Sequence, residues 1–180
     1  TDAGQRDMTR AISQFGQKIA LGSVSLFYYA GHGMQVRGKN YLIPIDAEIE
    51  NESSVVSEAV DVDQVLNQIG PARLSMVILD ACRNNPFERK FRSAAGGGLA
   101  QIDAPTGTLL AYATAPGKVA ADGNGSNGLY TEALLKALDT PGLKVEDIFK
   151  QVRIQVLKES DNLQIPWESS SLTGEIGRAH

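Results

Sequence analysis

The sequence predicts an α/β domain in which a mostly parallel sheet carries helices on both faces. Three short apolar segments have the length and the β-branched and aromatic content of strands: residues 23–30, 74–80 and 108–114. Segments with helical patterns or boundaries lie before, between and after them, at residues 6–20, 62–69, 129–138 and 145–159. Strands that alternate with helices through short links are typical of a parallel sheet covered on both faces.

The first helix and the first strand lead to a histidine between two glycines. The helix is predicted at residues 6–20, where apolar residues recur at spacings of three and four, with Asp2 as its cap and Gly22 after its end. The strand at 23–30 is apolar at nearly every position of its second half, which favours a strand covered on both faces. It runs into Gly31-His32-Gly33, where we expect strand geometry to break.

The middle of the chain contains two short elements before its clearest strand. Residues 40–45 are apolar but include a proline, which places them at the edge or the end of a sheet. Residues 46–57 are polar and are predicted to form a loop, and Asp61 is expected to cap a helix at 62–69. The run LSMVILD at 74–80 is the strongest indication of a buried strand in the sequence.

The last part of the chain combines glycine-rich loops with one strand and two helices. Residues 87–98 are basic and then glycine-rich, and we predict a surface loop there. A second glycine-rich loop is predicted at 115–127, whereas the Ser-rich residues 166–174 give no clear prediction. The chain shows no internal repeat, so residues 1–180 are predicted to form a single domain.

Composition and charge exclude several classes of protein. Hydrophobic residues make up 42% of the 180 and charged residues 21%, which is typical of a globular domain. The net charge of −4 disfavours nucleic acids and anionic membrane surfaces as partners, and no apolar run approaches the roughly 20 residues of a membrane span. The single cysteine, Cys82, excludes an internal disulfide. No signal peptide is visible, and the sequence leaves localisation open between cytoplasm and periplasm.

Cys82 and His32 follow two of the predicted strands and are candidates for a catalytic pair. Neighbouring parallel strands lie about 4.8 Å apart, so side chains just beyond their carboxyl ends can approach each other. A histidine there can manage the proton of the thiol and later that of the leaving amine. Gly33 offers an unobstructed backbone N–H to an oxyanion, and the N–H of Cys82 is the natural second donor.

Asp80 lies two residues before Cys82, so its carboxylate is expected on the same side of the strand as the thiol. A carboxylate there disfavours the thiolate by like-charge repulsion, which argues against a catalytic role. An acid beside the nucleophile would instead select a cationic substrate side chain, arginine or lysine.

Each of these residues also has a simpler interpretation. A lone cysteine is among the residues most often buried in a core, and a histidine in a glycine turn is more often structural than catalytic. Asp80 alone is explained as the cap of the turn after its strand. Their joint placement at strand ends favours the functional interpretation.

At these residues the sequence resembles the caspase-fold cysteine peptidases, in particular the bacterial metacaspase and paracaspase-like (orthocaspase) group. The motifs are YYAGHG at 28–33, LDACRN at 79–84, NYLIP at 40–44, YATAPG at 112–117 and PWESSSLTG at 166–174. The caspase signature places its histidine about 50 residues before the cysteine. His32 and Cys82 are 50 residues apart. The resemblance covers essentially the whole chain and implies a caspase-like fold.

The resemblance also implies a role for each candidate residue. His32 would be the proton-transfer residue, Cys82 the nucleophile, and the N–H groups of Gly33 and Cys82 the oxyanion hole. Caspases carry glutamine at the position of Asp80, and the acid implies cleavage after Arg or Lys rather than after Asp. Asp122, in the loop after the third strand, is a weaker candidate for the same pocket, and a solvated loop acid is the alternative.

Two departures from the family pattern add further expectations. The family's domain begins with another strand and helix, which include the central first strand of the sheet, so we expect the chain to be an N-terminally truncated domain or a processed fragment. Metacaspases often need calcium, and the nearest acidic cluster here is Glu58, Asp61 and Asp63. Because Asp61 is explained as a helix cap, the leading expectation is no metal or other cofactor and calcium-independent behaviour, with a calcium site at this cluster as the alternative.

Three functions remain as interpretations. The leading one is an endopeptidase, monomeric by resemblance, that acts on peptides or proteins with a basic residue before the cleaved bond. Self-cleavage is predicted in the basic loop after the nucleophile, at Arg89, Lys90 or Arg92, with a solvated loop as the alternative. The second is a catalytically silent caspase-fold interaction module. The third, a cysteine acyltransferase or other thiol hydrolase, gives no reason for an acid beside the nucleophile.

Overall fold

The computed structural model describes residues 2–81, 98–115 and 128–173. Within these ranges the helices are α1 (Gln5–Lys18), α2 (Glu52–Glu58), α3 (Asp63–Gln68), α4 (Leu129–Leu138) and α5 (Val145–Glu159). The strands are β1 (Val24–Ala30), β2 (His32–Val36), β3 (Lys39–Ile43), β4 (Val60–Asp61), β5 (Leu74–Asp80), β6 (Thr108–Tyr112) and β7 (Trp167–Ser170). None of these helices is both long enough and apolar enough to cross a membrane.

The larger sheet has the strand order β1-β5-β6-β7. Its first three strands are parallel, and β7 runs antiparallel to β6. The register between β1 and β5 is constant, since Val24 pairs with Leu74 and Ala30 with Asp80, an offset of 50 residues throughout. The predicted α/β fold with a mostly parallel sheet is therefore confirmed.

Helices cover both faces of this sheet, as predicted. Consecutive side chains of a strand point to opposite faces. On β1, the ring of Phe27 packs against Phe15 of α1 with the ring centroids 6.3 Å apart, whereas the next residue, Tyr28, hydrogen-bonds to Thr131 of α4. Since α3 contacts α1 and α5 contacts α4, the helices form two layers with the sheet between them.

The two central strands explain the apolar runs seen in the sequence. Every residue of β5 except Met76 is buried, and every residue of β6 is buried. Both strands belong to one core cluster that also contains Val65 of α3 and Val152 of α5. Each methylene group buried there adds about 0.8 kcal/mol to the free energy of unfolding. This packing stabilises β5 and therefore the position of its carboxyl end.

The first strand differs from the prediction that it is covered on both faces. On one face Val24, Leu26 and Tyr28 are 51%, 48% and 40% exposed, whereas Ser25 on the other face is buried. β1 is the terminal strand in the order of the described sheet. The prediction was wrong because an apolar run does not reveal whether a strand lies inside a sheet or at its end.

The predicted break in strand geometry at residues 31–33 is confirmed at Gly31, which lies between the end of β1 and the start of β2. His32 is the first residue of β2, which pairs antiparallel with β3, and β3 pairs with β4 in a second, three-stranded sheet. Arg37 and Gly38 both have positive φ angles, 52° and 79°, as a two-residue hairpin turn requires. Pro44 directly follows β3, which agrees with the predicted sheet end.

Besides β2 and β4, two elements were not predicted from the sequence. α2 lies within the segment that was predicted as a loop, and it starts with a capping box formed by Asn51 and Ser54. β7 lies in the Ser-rich segment, where an ion pair joins Glu168 to Arg153 of α5. Neither short element has an apolar periodicity that would have indicated it.

The helix caps agree with the sequence at one helix and differ at another. The N–H of Gln5 at the start of α1 donates to the Asp46 carboxylate at 2.9 Å, so a distant acid and not Asp2 caps this helix. At the start of α3, the N–H of Asp63 donates to Asp61 at 2.9 Å, as predicted.

Candidate active site

The carboxyl ends of β1 and β5 meet at the edge where the sequence predicted the site. Ala30, the last residue of β1, pairs with Asp80, the last residue of β5. The N–H of Gly31 then donates to the carbonyl oxygen of Asp80 at 3.1 Å. The parallel pairing therefore continues one residue beyond β1 and holds the residue just before His32 against β5.

On the other side of the histidine, Gly33 packs against Ala81. A methyl group on the α-carbon of Gly33 would lie 2.7 Å from the carbonyl oxygen of Ala81, 2.9 Å from its Cβ and 3.1 Å from Cδ2 of Leu99. Only a residue without a side chain allows the two backbones to approach so closely. The start of β2 therefore passes directly over the end of β5.

His32 lies between these two contacts, and its side chain is exposed. The residue before it binds Asp80 and the residue after it touches Ala81, the last described residue before Cys82. The offset of 50 between β1 and β5 equals the separation of His32 and Cys82 in the sequence. Cys82 lies outside the described residues, so the catalytic pair stays a prediction.

Tyr29 ties the backbone of the histidine to β1. Its hydroxyl lies 2.9 Å from the carbonyl oxygen of His32 and 3.0 Å from that of Ile43, and these two residues are partners across β2 and β3. Burial raises the pKa of Tyr29 to about 12, so the hydroxyl remains a donor at neutral pH. One phenol on β1 therefore anchors both strands of the hairpin where the candidate residue begins.

The carboxylate of Asp80 is buried and hydrogen-bonded. The residue is 3% exposed, and the hydroxyl of Thr131 in α4 donates to its Oδ2 at 2.5 Å. The hydroxyl of Tyr28 lies 2.6 Å from the same threonine oxygen. The acid that the sequence predicted as a specificity residue therefore lies on the α4 face of the sheet, the face that also carries Tyr28.

A second tyrosine lies close to this carboxylate. Tyr130 is buried, and within the described ranges its hydroxyl has no hydrogen-bond partner. Burial raises the pKa of Tyr130, and the negative charge of Asp80 raises it further. The phenol stays neutral and adds no second negative charge next to Asp80.

Asn40 anchors the segment at residues 98–100 beside the same site. Its side chain donates to the carbonyl oxygen of Ala100 at 2.7 Å and accepts from the N–H of Ala100 at 2.7 Å. The side chain is buried, so both of these bonds are protected from water. This two-point contact places Leu99 where it packs against Gly33.

The remaining candidate residues lie outside the described residues. Their positions stay predictions: Asp122 for the specificity pocket, and Arg89, Lys90 and Arg92 for self-cleavage.

A lysine engages two of the acids that were considered for calcium. The ammonium group of Lys39 lies 2.9 Å from Asp63 and 3.1 Å from Asp61, and its hydrogen bonds to the two carboxylates raise the pKa of Lys39. A cation of the chain itself therefore lies between these two carboxylates. Residues 2–81, 98–115 and 128–173 contain no group of three or more His, Cys, Asp or Glu side chains that could bind a metal ion.

Replacing Gly33 with alanine is expected to disturb this edge of the sheet. The new methyl group meets the main chain of Ala81, which cannot move aside as a flexible side chain would. We expect a loss of about 1–3 kcal/mol in the free energy of unfolding, measured by urea denaturation. Gly70→Ala is the matched control, because open space surrounds Gly70. Equal stability of the two variants would contradict the close approach.

Comparison with known proteins identifies the family. Residues 1–176 match the family model of the caspase domain. The chain belongs to the caspase domain family. Among solved structures, this caspase domain is similar to protein GSU0716 from Geobacter sulfurreducens, with 14% identity and a TM-score of 0.59 over 96% of this chain and 78% of that one. At this identity the likeness supports the fold alone, and a search of curated proteins finds no match.

Thr131 and Asn40 are among the residues of this caspase domain that contact the site region and were not predicted. Thr131 comes 51 residues after Asp80. No sequence spacing predicts that the first turn of α4 lies at the end of β5. Asn40 lies in the NYLIP motif, but its contact with Ala100 joins residues 60 apart. A buried asparagine in an apolar stretch is the one local feature that indicated a structural partner.

Proposed function

We propose that this caspase domain is a cysteine endopeptidase of the metacaspase and paracaspase kind, which cleaves after arginine or lysine. The pair of contacts around His32 carries the proposal. Gly31 binds the carbonyl oxygen of Asp80 and Gly33 touches Ala81, so the backbone of His32 is held beside the two residues that lead into Cys82. Family membership supports cysteine peptidase chemistry at this position.

The proposed reaction follows from the two side chains. His32 accepts the proton of the Cys82 thiol, and the sulfur attacks the carbonyl carbon of the scissile bond. The N–H groups of Gly33 and Cys82 stabilise the negative oxygen of the tetrahedral intermediate. His32 then gives the proton to the leaving amine, and water hydrolyses the acyl-enzyme with His32 as general base.

Specificity for a basic residue is assigned to Asp80. The carboxylate is buried at the end of β5, two residues before Cys82. A buried carboxylate is strongly stabilised by a cationic partner, and a guanidinium or ammonium group of the substrate can supply one. Asp122 remains a second candidate for the same pocket.

Hydrolysis of paired fluorogenic peptides tests the proposed function. The peptides end in Arg, Lys or Asp, and each is assayed with calcium and with a chelator. We expect release of the fluorophore after Arg and Lys but not after Asp. The rates with calcium and with the chelator should be equal. Cys82→Ala serves as the control for contaminating peptidases and should show none of this activity.

The outcomes separate the candidate functions. Cys82-dependent cleavage after a basic residue supports the peptidase, whereas cleavage after Asp alone would contradict the role of Asp80. The absence of Cys82-dependent cleavage of every peptide would favour a silent interaction module. Intact masses of the same two preparations test self-cleavage, because identical processing of both would exclude it at Arg89, Lys90 and Arg92.

A further inference from the structure

The hydroxyls of Tyr28 and Thr131 form a chain that ends on the Asp80 carboxylate. Thr131 Oγ1 lies 2.5 Å from Asp80 Oδ2, and Tyr28 Oη lies 2.6 Å from Thr131 Oγ1. A carboxylate only accepts, so the single hydroxyl hydrogen of Thr131 points to Asp80. Tyr28 must then be the donor in its bond to Thr131, which fixes the direction of the whole chain.

The position of Thr131 adds to this contact. It is the third residue of α4, whose first residue is Leu129. Backbone N–H groups of the first turn of a helix carry partial positive charge, which favours a nearby anion. The hydroxyl bond to Asp80 therefore lies at the end of α4 that stabilises a carboxylate.

Two hydroxyls in series polarise each other in the protein interior. A donor to Thr131 makes its own hydroxyl a stronger donor to the carboxylate. Tyr28 is 40% exposed, so this chain runs from a partly exposed phenol to a residue that is 3% exposed. Its effect is to hold one oxygen of Asp80 in a fixed direction.

We propose that Thr131, supported by Tyr28, is a positioning residue that orients the Asp80 carboxylate for a guanidinium group. The inference rests on the proposed function and deepens it. Arginine binds a carboxylate through a planar fork of two N–H groups and needs the plane of the acid to be fixed. The ammonium group of lysine is a point charge on a flexible stem and tolerates a rotated carboxylate. The chain therefore favours arginine over lysine before the cleaved bond.

Thr131→Val removes the hydroxyl and keeps the shape of the side chain. We expect KM for the Arg peptide to rise about tenfold with kcat little changed. The lost hydrogen bond orients the carboxylate that binds the substrate side chain and does not act on the reacting atoms. KM for the Lys peptide is expected to rise less, so the ratio of kcat/KM for Arg over Lys falls. Thr131→Ser restores the hydroxyl and should restore the wild-type ratio.

Two further variants complete the design. Tyr28→Phe removes the outer donor and should raise KM for the Arg peptide about two- to threefold. Thr140→Val is the matched control, because Thr140 lies just beyond the other end of α4, is exposed and bonds only weakly to Lys136 among the described residues. It should leave both kinetic constants unchanged.

The outcomes distinguish this inference from the proposed function. If the wild type cleaves both peptides but Thr131→Val keeps the wild-type ratio of kcat/KM for Arg over Lys, the positioning role is overturned and the proposed function stands. A fall in kcat for both peptides that Thr131→Ser does not reverse would overturn it too, since it would indicate a structural role. If Thr131→Val does not fold, an unchanged ratio in Tyr28→Phe overturns it. If the wild type cleaves neither peptide, the proposed function fails and the positioning role fails with it.

Discussion

Replacing His32 with glutamine is expected to lower kcat for the Arg peptide by about 1,000-fold, the contribution of a positioned general acid and base. Glutamine keeps a polar side chain but cannot carry the proton from the thiol to the leaving amine. The His32 side chain is exposed, so the substitution should leave the thermal unfolding midpoint near that of wild type. Stopped assays of kcat and KM, together with thermal unfolding, measure both effects.

The second histidine of the chain provides the control for this substitution. His180→Gln makes the same chemical change at the other end of the sequence and should leave kcat unchanged. A His32→Gln variant that keeps more than about one tenth of wild-type kcat would remove His32 from proton transfer.

Asp80→Asn is expected to lower kcat/KM for the Arg peptide by about 100-fold, because removing one partner of a buried charge pair costs about 2–5 kcal/mol. Asparagine retains an oxygen that can accept from Thr131, so the hydrogen-bonded chain to α4 can persist in the variant. The change therefore removes the negative charge while leaving the local packing almost intact.

A neutral substrate gives the sharpest control for Asp80. A peptide that ends in citrulline has the shape of arginine without its charge. Wild type should prefer Arg over citrulline strongly, and Asp80→Asn should cleave the two at similar rates. If Asp80→Asn retains the wild-type preference, another group recognises the charge, and Asp122 becomes the first candidate.

The central strands were predictable because their burial is recorded in their composition. β5 and β6 lie inside the sheet with helices on both faces, so nearly every residue is buried and most are apolar. The run at β1 has a similar composition, yet Leu26 and Tyr28 are about half exposed. Local composition cannot distinguish these cases, because the position of a strand in a sheet is set by partners that are distant in the sequence.

The small hairpin illustrates a second limit. Residues 31–33 were predicted to break the strand because glycine punctuates strands; the break lies at Gly31, and His32 and Gly33 already begin β2. Gly33 is needed for the close approach to Ala81 and not for a turn. The glycine pattern thus indicated the break but not the second strand that follows it directly.

The candidate site was predictable only in part for a related reason. His32, Gly33 and Asp80 were chosen as candidates because they lie at or just beyond the ends of apolar runs, and strand ends are where sheet proteins place functional groups. Thr131 was missed because the contact that matters joins α4 to β5 across 51 residues. Side chains that position a functional group have no fixed spacing from it, since the fold alone brings them together.

The central claim is that His32 and Cys82 act together on substrates with a basic residue. The most direct test is covalent labelling with a peptide chloromethyl ketone that ends in arginine, followed by intact mass. Because Cys82 is the single cysteine, one adduct on a thiol identifies it without ambiguity. We predict that the arginine reagent labels wild type at least 100-fold faster than it labels His32→Gln. We also predict that wild type reacts faster with this reagent than with the same reagent ending in aspartate. Equal rates for wild type and His32→Gln would contradict the claim.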